Sequence, residues 1–357
     1  MSAVGTYDDD TLPLQPPIRL PATPELAAAV RATPLAEALL RSADPAASAS
    51  GPGLPDTVEV DELGGAEMIE VLRHGDDEEV LRVWEDVRRR VLGEAHLVRV
   101  VRLFLGREAA SETGSEAAGE TPGTSAGGVP GELVSLGLAR PAEPPTLTPL
   151  GLWAGRQVIA EVTGQEIPVM GSLAAEDAAA LLHGLRCYPE RERLEELTGW
   201  LATRERGKAA EEIGAALVEA SPLGRAIGVE LLATDLGDEG REVLDRLLGT
   251  PRVGAVIGAR LGRDDRHPAP DEIAWVLVDM AATLLEFGGE SDEVVESVGM
   301  GMAPEDQAGT IALLALGDHP WTGQVLRVFI DRHPDAQVSA AARKALRRLH
   351  GLAQARG

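Results

Sequence analysis

The chain has 357 residues and a formal net charge of −25, with 44% hydrophobic, 25% charged and only 3% aromatic residues. This length allows two or three domains with a sizeable core, and the scarcity of aromatic residues favours packed helices of Ala, Leu and Val over a β-sandwich. Such an acidic surface disfavours a nucleic-acid partner; it suits a basic partner, or it simply keeps the protein in solution.

Cys187 is the only cysteine, which excludes an intramolecular disulfide and a cysteine-based zinc site. The acidic start MSAVGTYDDD lacks the basic and apolar parts of a signal peptide. No uncharged apolar run approaches the roughly 18 residues that a membrane-spanning helix needs. We therefore expect a cytoplasmic protein with no membrane partner and no cofactor, and the sequence leaves its oligomeric state open.

The first 55 residues predict an extended strap and two short helices. Residues 1–22 are rich in Pro and Asp, and their apolar side chains would hold them to the body of the protein. These side chains are Leu14, Ile18 and Leu20. Thr23 and Thr33 each precede a proline, a pattern typical of a helix N-cap with proline at the first helical position. Residues 42–55 predict a small polar linker.

Residues 61–107 carry helical patterns. Asp76 or Asp77 is placed to cap a helix with an apolar stripe. The stripe consists of Val80, Leu81, Trp84 and Val87. Residues 96–105 are apolar and fit either a helix or a strand. By contrast, residues 109–131 predict a disordered insertion, because Val129 is their only large apolar side chain and little buried surface would offset the entropy of ordering.

The next segment predicts a helix, a hairpin and another helix. A helix ends within residues 132–139, ARPAEPPTL forms a turn or short hairpin, and Thr148-Pro149 begins a helix that continues to Val162. The string LVSLGLA…LTPLGLWAGRQVI resembles the closing half of a winged-helix domain, where a two-stranded wing follows a helix that ends in LGL. The resemblance implies a small winged-helix-like module over residues 56–164.

Residues 172–352 predict nearly continuous helices with short loops, so that sequential helices pack antiparallel. The predicted spans are 174–187, 190–204, 208–220, 223–235, 238–249, 251–262, 271–288, 292–302, 304–316, 321–332 and 335–352. The helix at 271–288 has apolar residues at helical spacing, and Trp275 and Val278 lie on its other faces, so we expect it to be central and buried on most sides. The spaced residues are Ile273, Val276, Leu277, Met280, Leu284 and Phe287.

A proline-opened motif recurs within this region. SPLGRAIGVELL (221–232) and TPRVGAVIGARL (250–261) align without a gap at an offset of 29 residues. A short helical unit that repeats buries its apolar face only by stacking on its neighbours. The tail HPDAQVSAAARKALRRL (333–349) resembles the second half of a HEAT-type repeat. The C-terminal half, residues 172–352, therefore resembles an irregular α-solenoid of HEAT-like repeats within a mainly α protein.

The whole layout resembles a group of helical proteins from high-GC, actinobacterial-type genomes. The shared features are the PPIRLP strap, the stretch VLRVWEDVRRRVLG (80–93), LTPLGLWA (147–154) and the repeat-like tail. This resemblance implies an architecture and no catalytic activity.

Two groups of side chains have the spacing of a chemical site. His183 and Cys187 lie at i and i+4 of one predicted helix, which permits a shared metal or a base beside a thiol. Their leucine-rich surroundings favour a partly buried structural role instead. Three histidines precede prolines, namely His267, His319 and His333. A metal needs three converging ligands, and we predict capping and turn roles for these histidines.

Two basic clusters are candidate contact surfaces. Residues 221–320 have a net charge of −12, whereas residues 321–357 have a net charge of +5. In the latter segment a predicted partner-binding face is formed by Arg343, Lys344, Arg347 and Arg348. In the winged-helix-like part, phosphate contacts would fall on Arg88, Arg89 and Arg90, although nearby acids nearly neutralise them.

The sequence thus predicts a non-catalytic scaffold that binds a protein partner through a helical array. The alternative is a nucleic-acid-associated transcriptional regulator that acts through the winged-helix-like module. An enzyme centred on His183 and Cys187 is a third hypothesis, although no catalytic signature is present.

Overall fold

The computed structural model describes residues 16–43, 65–112, 129–164, 166–263, 268–299 and 302–356. Within these ranges the chain forms eighteen α-helices, one π-helical turn and one two-stranded hairpin. The prediction of a mainly α protein is confirmed. The chain divides into two compact units, which we call the N-terminal unit (Gln15–Met170) and the C-terminal unit (Gly171–Gly357). No helix among the described residues is both long and apolar enough to cross a lipid bilayer.

The N-terminal unit consists of seven described helices and the hairpin. In chain order these are α1 (Thr23–Arg31), α2 (Pro34–Ser42), α3 (Gly65–His74), α4 (Asp77–Val91), α5 (Glu94–Glu112), α6 (Gly131–Ser135), β1 (Ala139–Arg140), β2 (Thr146–Leu147) and α7 (Pro149–Thr163).

Polar side chains begin most of the predicted helices. The side chains of Thr33 and Asp76 accept hydrogen bonds from backbone N–H groups in the first turns of α2 and α4, as predicted. The N-cap prediction for Thr23 is wrong, because α1 already includes Thr23 and its cap position is Ala22, which has no capping side chain. Proline still lies in the first turn of α1, where its missing N–H costs nothing.

The core of this unit contains the predicted stripe of α4. Trp84 and Val80 are fully buried and pack with Met68 of α3 and Leu39 of α2. The strap prediction holds at Ile18, whose backbone pairs with the segment around Val169 and whose side chain is buried. Leu20 packs partly against the same cluster, and Leu14 lies outside the described residues.

The apolar segment 96–105 is helical, as part of α5. This helix continues to Glu112, so the first four residues of the predicted disordered insertion 109–131 belong to a helix instead. Residues 113–128 of that insertion, and most of the predicted linker 42–55, lie outside the described residues.

The predicted hairpin is present, and it is fixed to the helix that follows. Ala139 pairs with Leu147 in an antiparallel register. Thr148 caps α7 through the N–H of Gly151, and its own N–H donates to the carbonyl of Leu138 at 3.0 Å. Because that carbonyl lies directly over the first turn of α7, the helix begins in close contact with the hairpin.

The C-terminal unit contains the remaining helices. They are α8 (Ala178–Leu185), α9 (Glu190–Leu201), α10 (Arg206–Ala216), α11 (Pro222–Glu230), a π-helical turn (Leu231–Asp235), α12 (Gly237–Leu247), α13 (Val253–Arg260), α14 (Pro270–Glu286), α15 (Ser291–Gly299), α16 (Pro304–Leu314), α17 (Thr322–Arg332) and α18 (Ala336–Arg356). Each predicted helix of residues 172–352 has a counterpart here.

The helix pairs α10–α11 and α12–α13 repeat at a spacing of 31 residues rather than the 29 of the aligned motif. The difference lies in the two prolines. Pro222 begins α11 after the capping side chain of Ser221, whereas α13 begins two residues after Pro251, at Val253. Arg252 precedes α13 with a φ of 66°. The 29-residue motif therefore aligns sequence without aligning the two helices.

Helix α14 joins two groups of stacked helices. On one side α8 packs on α10 and α11, α10 packs on α12, and α11 packs on α14. On the other side α14 contacts α15, α16 and α17, and both α16 and α17 pack on α18. Apolar residues from α14 to α18 form one core, including Val278, Ala281, Val294, Ile311, Leu314, Val325, Phe329, Val338 and Ala342.

Candidate functional site

Two carboxylates of α14 are buried in the C-terminal unit. Asp279 is 0% exposed and Glu286 is 8% exposed. Carboxylates are rarely buried to this extent unless a cation pairs with them. Each one meets an arginine that is itself buried: Arg225 in α11 pairs with Asp279, and Arg186, directly after α8, pairs with Glu286. The inward face of α14 is therefore polar.

Glu286 connects α14 to α8 and α11. Nη1 of Arg186 donates to Oε1 of Glu286 at 2.5 Å. The backbone N–H of Leu223, in the first turn of α11, donates to Oε2 at 2.7 Å. An N-terminal amide carries the positive end of the helix dipole, so both partners stabilise the ionised carboxylate.

Arg225 connects Asp279 to the end of α10. Its Nη1 donates to Oδ1 of Asp279, its Nε donates to the carbonyl of Leu217 at 3.1 Å, and its Nη2 donates to the carbonyl of Ala220 at 2.7 Å. The guanidinium also lies 4.8 Å from the ring centroid of Trp275. One side chain thus fixes α11, the segment after α10, and α14 relative to one another.

His319 completes this cluster. Its Nδ1 accepts from the N–H of Trp321 at 3.2 Å, which places the hydrogen of the neutral ring on Nε2. That atom lies 3.4 Å from Oδ1 of Asp279, and the ring packs edge-on against Trp275 at 4.3 Å. The other carboxylate oxygen, Oδ2 of Asp279, has no hydrogen-bond partner among the described residues. The predicted turn role of His319 is confirmed, since it precedes α17.

Sequence reasoning missed these four charged residues. One local pattern does point to them: Asp279 and Glu286 are seven residues apart on one face of an otherwise apolar helix, and small alanines share that face. Small residues on a helix face are typical of close helix packing, so acids among them indicate a buried pair more than a solvated face.

The opposite face of α14 is an outward apolar stripe. Ile273 is 40% exposed, Met280 39% and Phe287 61%, and Leu277 and Leu284 between them are partly exposed. The prediction that this pattern would be buried is wrong for the stripe itself, although α14 is central. The physical reason is the pairing described above, because Arg186 and Arg225 allow the acidic face to turn inward.

A groove of about 610 Å³ runs beside the first half of this stripe. Its wall on α14 includes Ile273 and Leu277, and its wall on α13 consists of small residues such as Gly258. A side chain added at Gly258 would meet nothing closer than 4.0 Å. Arg260 lies at the end of α13 and donates to Thr283 Oγ1 at 3.1 Å. Loss of hydration lowers the pKa of Arg260 despite the opposing charge of Asp279.

The predicted basic face of α18 is on the surface. Val338, Ala342 and Ala345 turn into the core, and four cations one turn apart are exposed in pairs on another side of the helix. They are Arg343, Lys344, Arg347 and Arg348. Among the described residues none of the four has an acidic partner within an ion-pair distance.

His183 and Cys187 do not form a recognisable chemical centre. His183 is exposed rather than partly buried, at the edge of a cavity of about 790 Å³ lined mainly by small residues of α8, α10 and α11. Its ring lies against Arg186, whose Nη2 is 2.8 Å from Nδ1. Cys187 is half-buried. No group of three or more potential metal-binding side chains occurs within the described ranges.

Tyr188, beside Cys187, gives the C-terminal unit a dependence on alkaline pH. The side chain is 2% exposed, and burial, with a smaller effect of Glu196, raises its pKa from 10.0 to about 12. The folded unit therefore keeps its phenol proton where the unfolded chain loses it. We expect stability to fall by roughly 2–3 kcal/mol as pH rises from about 10 to about 12. Melting temperatures across this range measure the effect, and Tyr188→Phe should remove this part of the slope; an unchanged slope in that variant contradicts it.

The other two predicted histidines differ in what can be said of them. His333 precedes α18, accepts from the N–H of Asp335 at 3.1 Å through Nδ1, and lies 3.0 Å from Oε1 of Gln307 through Nε2. Its ring stacks on Phe329. The predicted capping and turn role is confirmed for His333, whereas His267 lies outside the described residues.

The predicted phosphate contacts in α4 need a correction. Arg88 is 1% exposed, and its Nε donates to Glu85 at 2.8 Å, so no external phosphate reaches it. Arg89 is on the surface and pairs with Glu161 at 2.6 Å, a hydrogen bond that raises its pKa. Arg90 is exposed. The helix presents one paired cation and Arg90 rather than a cluster of three.

No family model, curated protein or solved structure shows a significant match to this chain.

Proposed function

We propose that this protein is a non-catalytic protein-interaction scaffold that binds a macromolecular partner along its C-terminal unit. The observation that carries the proposal is the outward stripe of α14. It extends from Ile273 to Phe287, about 21 Å at 1.5 Å per residue, and its exposed positions carry no charge in a chain of net charge −25. An aligned apolar surface of this kind marks an interaction site more often than an isolated exposed residue does.

The spacing of the stripe suits a partner helix. From Ile273 the residues Leu277, Met280, Leu284 and Phe287 follow at intervals of four, three, four and three, which is the spacing of a coiled-coil seam. A groove between a small-residue wall and an apolar wall accepts the apolar face of an amphipathic helix. The proposed partner segment is therefore helical and apolar on one side.

We propose two finer features of the architecture. A HEAT-like array over residues 172–352 is supported by the successive contacts of α8, α10 and α12, by those of α14, α16 and α18, and by the 31-residue spacing of two helix pairs. A winged-helix-like module over residues 56–164 is supported by the order of α6, the hairpin and α7. The basic face of α18 is proposed as a second contact region, and the cytoplasm as the location.

The alternative function, a nucleic-acid-associated transcriptional regulator, has weaker support. It needs exposed cations that neutralise phosphates, and of its three predicted contacts Arg88 is buried and Arg89 is paired. The net charge of −25 adds long-range repulsion from a nucleic acid. The apolar stripe of α14 has no role in that alternative.

Affinity purification from the cells that produce the protein tests the scaffold proposal. The tagged wild type should retain a specific protein, and the triple variant Ile273→Ser, Met280→Ser, Phe287→Ser should retain at least about tenfold less, since interface anchors are commonly worth about 2 kcal/mol each. The matched control is Leu194→Ser with Val218→Ser, which removes apolar side chains that are 53% and 45% exposed elsewhere in the unit. Equal loss in both variants, or loss in neither, contradicts the assignment to α14.

A further inference from the structure

The end of the C-terminal unit carries two faces of opposite charge. After Asp335 the chain contains no Asp or Glu, so the cations of α18 have no acid on their own helix. By contrast, residues 267–326 contain eleven Asp and Glu and no Lys or Arg. Charge of one sign is thus concentrated on α18 and charge of the other sign on the helices that precede α17.

The exposed acids of this segment lie on α15 and α16. Asp292, Glu293 and Glu296 are within one turn of each other on α15, and Glu305 and Asp306 occupy the first turn of α16. We call these five residues the acidic face. The basic face is formed by Arg343, Lys344, Arg347 and Arg348 of α18.

The two faces do not neutralise each other within one copy. Helices α16 and α18 are in contact, and α15 and α17 are in contact, yet no residue of either face belongs to an ion pair among the described residues. Elsewhere in the unit exposed arginines do find partners, for example Arg252 with Asp318, and Arg263 with Asp245 at 2.8 Å. The pairing of charges has been completed around these faces and left open at them.

We infer that the acidic face of one copy binds the basic face of a second copy of this chain. Opposite charges on the same molecule make it complementary to itself, and such complementarity sets the orientation of an encounter and excludes wrong partners. The net charge of −25 opposes self-association only at long range, since at about 0.15 M salt charges more than about 8 Å apart are largely screened. The inference rests on the proposed role of α18 as a contact region, and it names the partner.

Sedimentation of the purified full chain tests this contact. The average mass should rise with protein concentration at about 0.1 M NaCl and return to that of the monomer at about 1 M, where the screening length falls to about 3 Å. The basic-face variant Arg343→Glu, Lys344→Glu, Arg347→Glu, Arg348→Glu should associate at least about tenfold more weakly, since each exposed pair contributes up to about 1 kcal/mol. The acidic-face variant Asp292→Lys, Glu296→Lys, Asp306→Lys should behave in the same way.

Mixing the two variants provides the decisive measurement. Each variant alone carries one sign of charge on both faces and should stay monomeric, whereas an equimolar mixture places opposite signs on every contact and should associate again. The control variant Arg191→Glu, Lys208→Glu changes exposed cations elsewhere in the unit and should associate like the wild type. Matching melting temperatures identify the variants as folded, and the rescue by mixing cannot come from misfolded chains.

Two results overturn the inference. One is a wild type that stays monomeric at every concentration and salt; the other is a mixture that fails to associate. If the wild type is monomeric and a co-purified cellular protein is lost from the basic-face variant, then α18 binds that protein and the second copy is ruled out. The scaffold proposal is judged separately by the α14 variants, so the two can fail independently.

Discussion

Arg225→Leu is expected to lower the free energy of unfolding of the C-terminal unit by about 3–5 kcal/mol, which is large against the roughly 5–15 kcal/mol that stabilises a whole domain. The variant leaves Asp279 charged, 0% exposed and without its arginine. It also removes the donors to the carbonyls of Leu217 and Ala220. Denaturant unfolding followed by circular dichroism measures the loss.

The double variant Arg225→Leu, Asp279→Leu distinguishes the cost of a buried lone charge from the cost of lost packing. Removing both charges takes away the unpaired carboxylate, so we expect it to recover at least about 2 kcal/mol relative to Arg225→Leu. The matched control is Arg241→Leu, which breaks an exposed i,i+3 pair with Asp238 and should cost at most about 1 kcal/mol. A double variant no more stable than the single one contradicts the assignment of the loss to Asp279.

The same pairing explains why the orientation of α14 was beyond prediction from the sequence. Periodicity identifies which side chains share a face, and it assigned Ile273, Met280 and Phe287 to one stripe. It does not decide which face turns inward, because that depends on partners far away in the chain. The arginine that neutralises Asp279 lies 54 residues away, and the arginine that neutralises Glu286 lies 100 residues away. Local sequence favours the opposite orientation, with the acids outside.

Helix boundaries were predictable where a local cause sets them. Thr148 and Ser221 each cap a helix with proline next in sequence, and both caps form. The failure at Pro251 has a physical reason in the packing of α13: a Cβ at Gly254 would lie 2.2 Å from the carbonyl oxygen of Leu248. Such a close approach of backbone to backbone is a tertiary constraint that no capping pattern records.

The candidate contact surfaces divide in the same way. The basic face of α18 was predictable, because four cations with an i, i+4 relationship must share a side of a helix whose alanines turn inward. Arg88 satisfied the same kind of pattern and is buried, since Glu85 supplies a carboxylate within α4 and Glu161 supplies another from α7. A cation is therefore a contact candidate only after the acids near it in space are known.

Gly151→Ala is expected to destabilise the N-terminal unit by about 3 kcal/mol through a steric clash. An added Cβ would lie 1.9 Å from the carbonyl oxygen of Leu138, and that oxygen is held in place by the N–H of Thr148. Alanine ordinarily favours a helix over glycine by about 1 kcal/mol, so the sign of the effect is itself informative. A lower melting temperature of the N-terminal unit measures the loss.

Gly106→Ala is the matched control within the same unit. Gly106 lies inside α5, and an added Cβ there would meet no atom within 4 Å, so helix propensity acts alone and should stabilise the unit by up to about 1 kcal/mol. Opposite signs for one chemical change would show that the first turn of α7 is pressed against the hairpin. If Gly151→Ala stabilises the protein as Gly106→Ala does, then the close contact between the Leu138 carbonyl and α7 does not exist in solution, and the order of α6, hairpin and α7 loses its value as support for a winged-helix-like module.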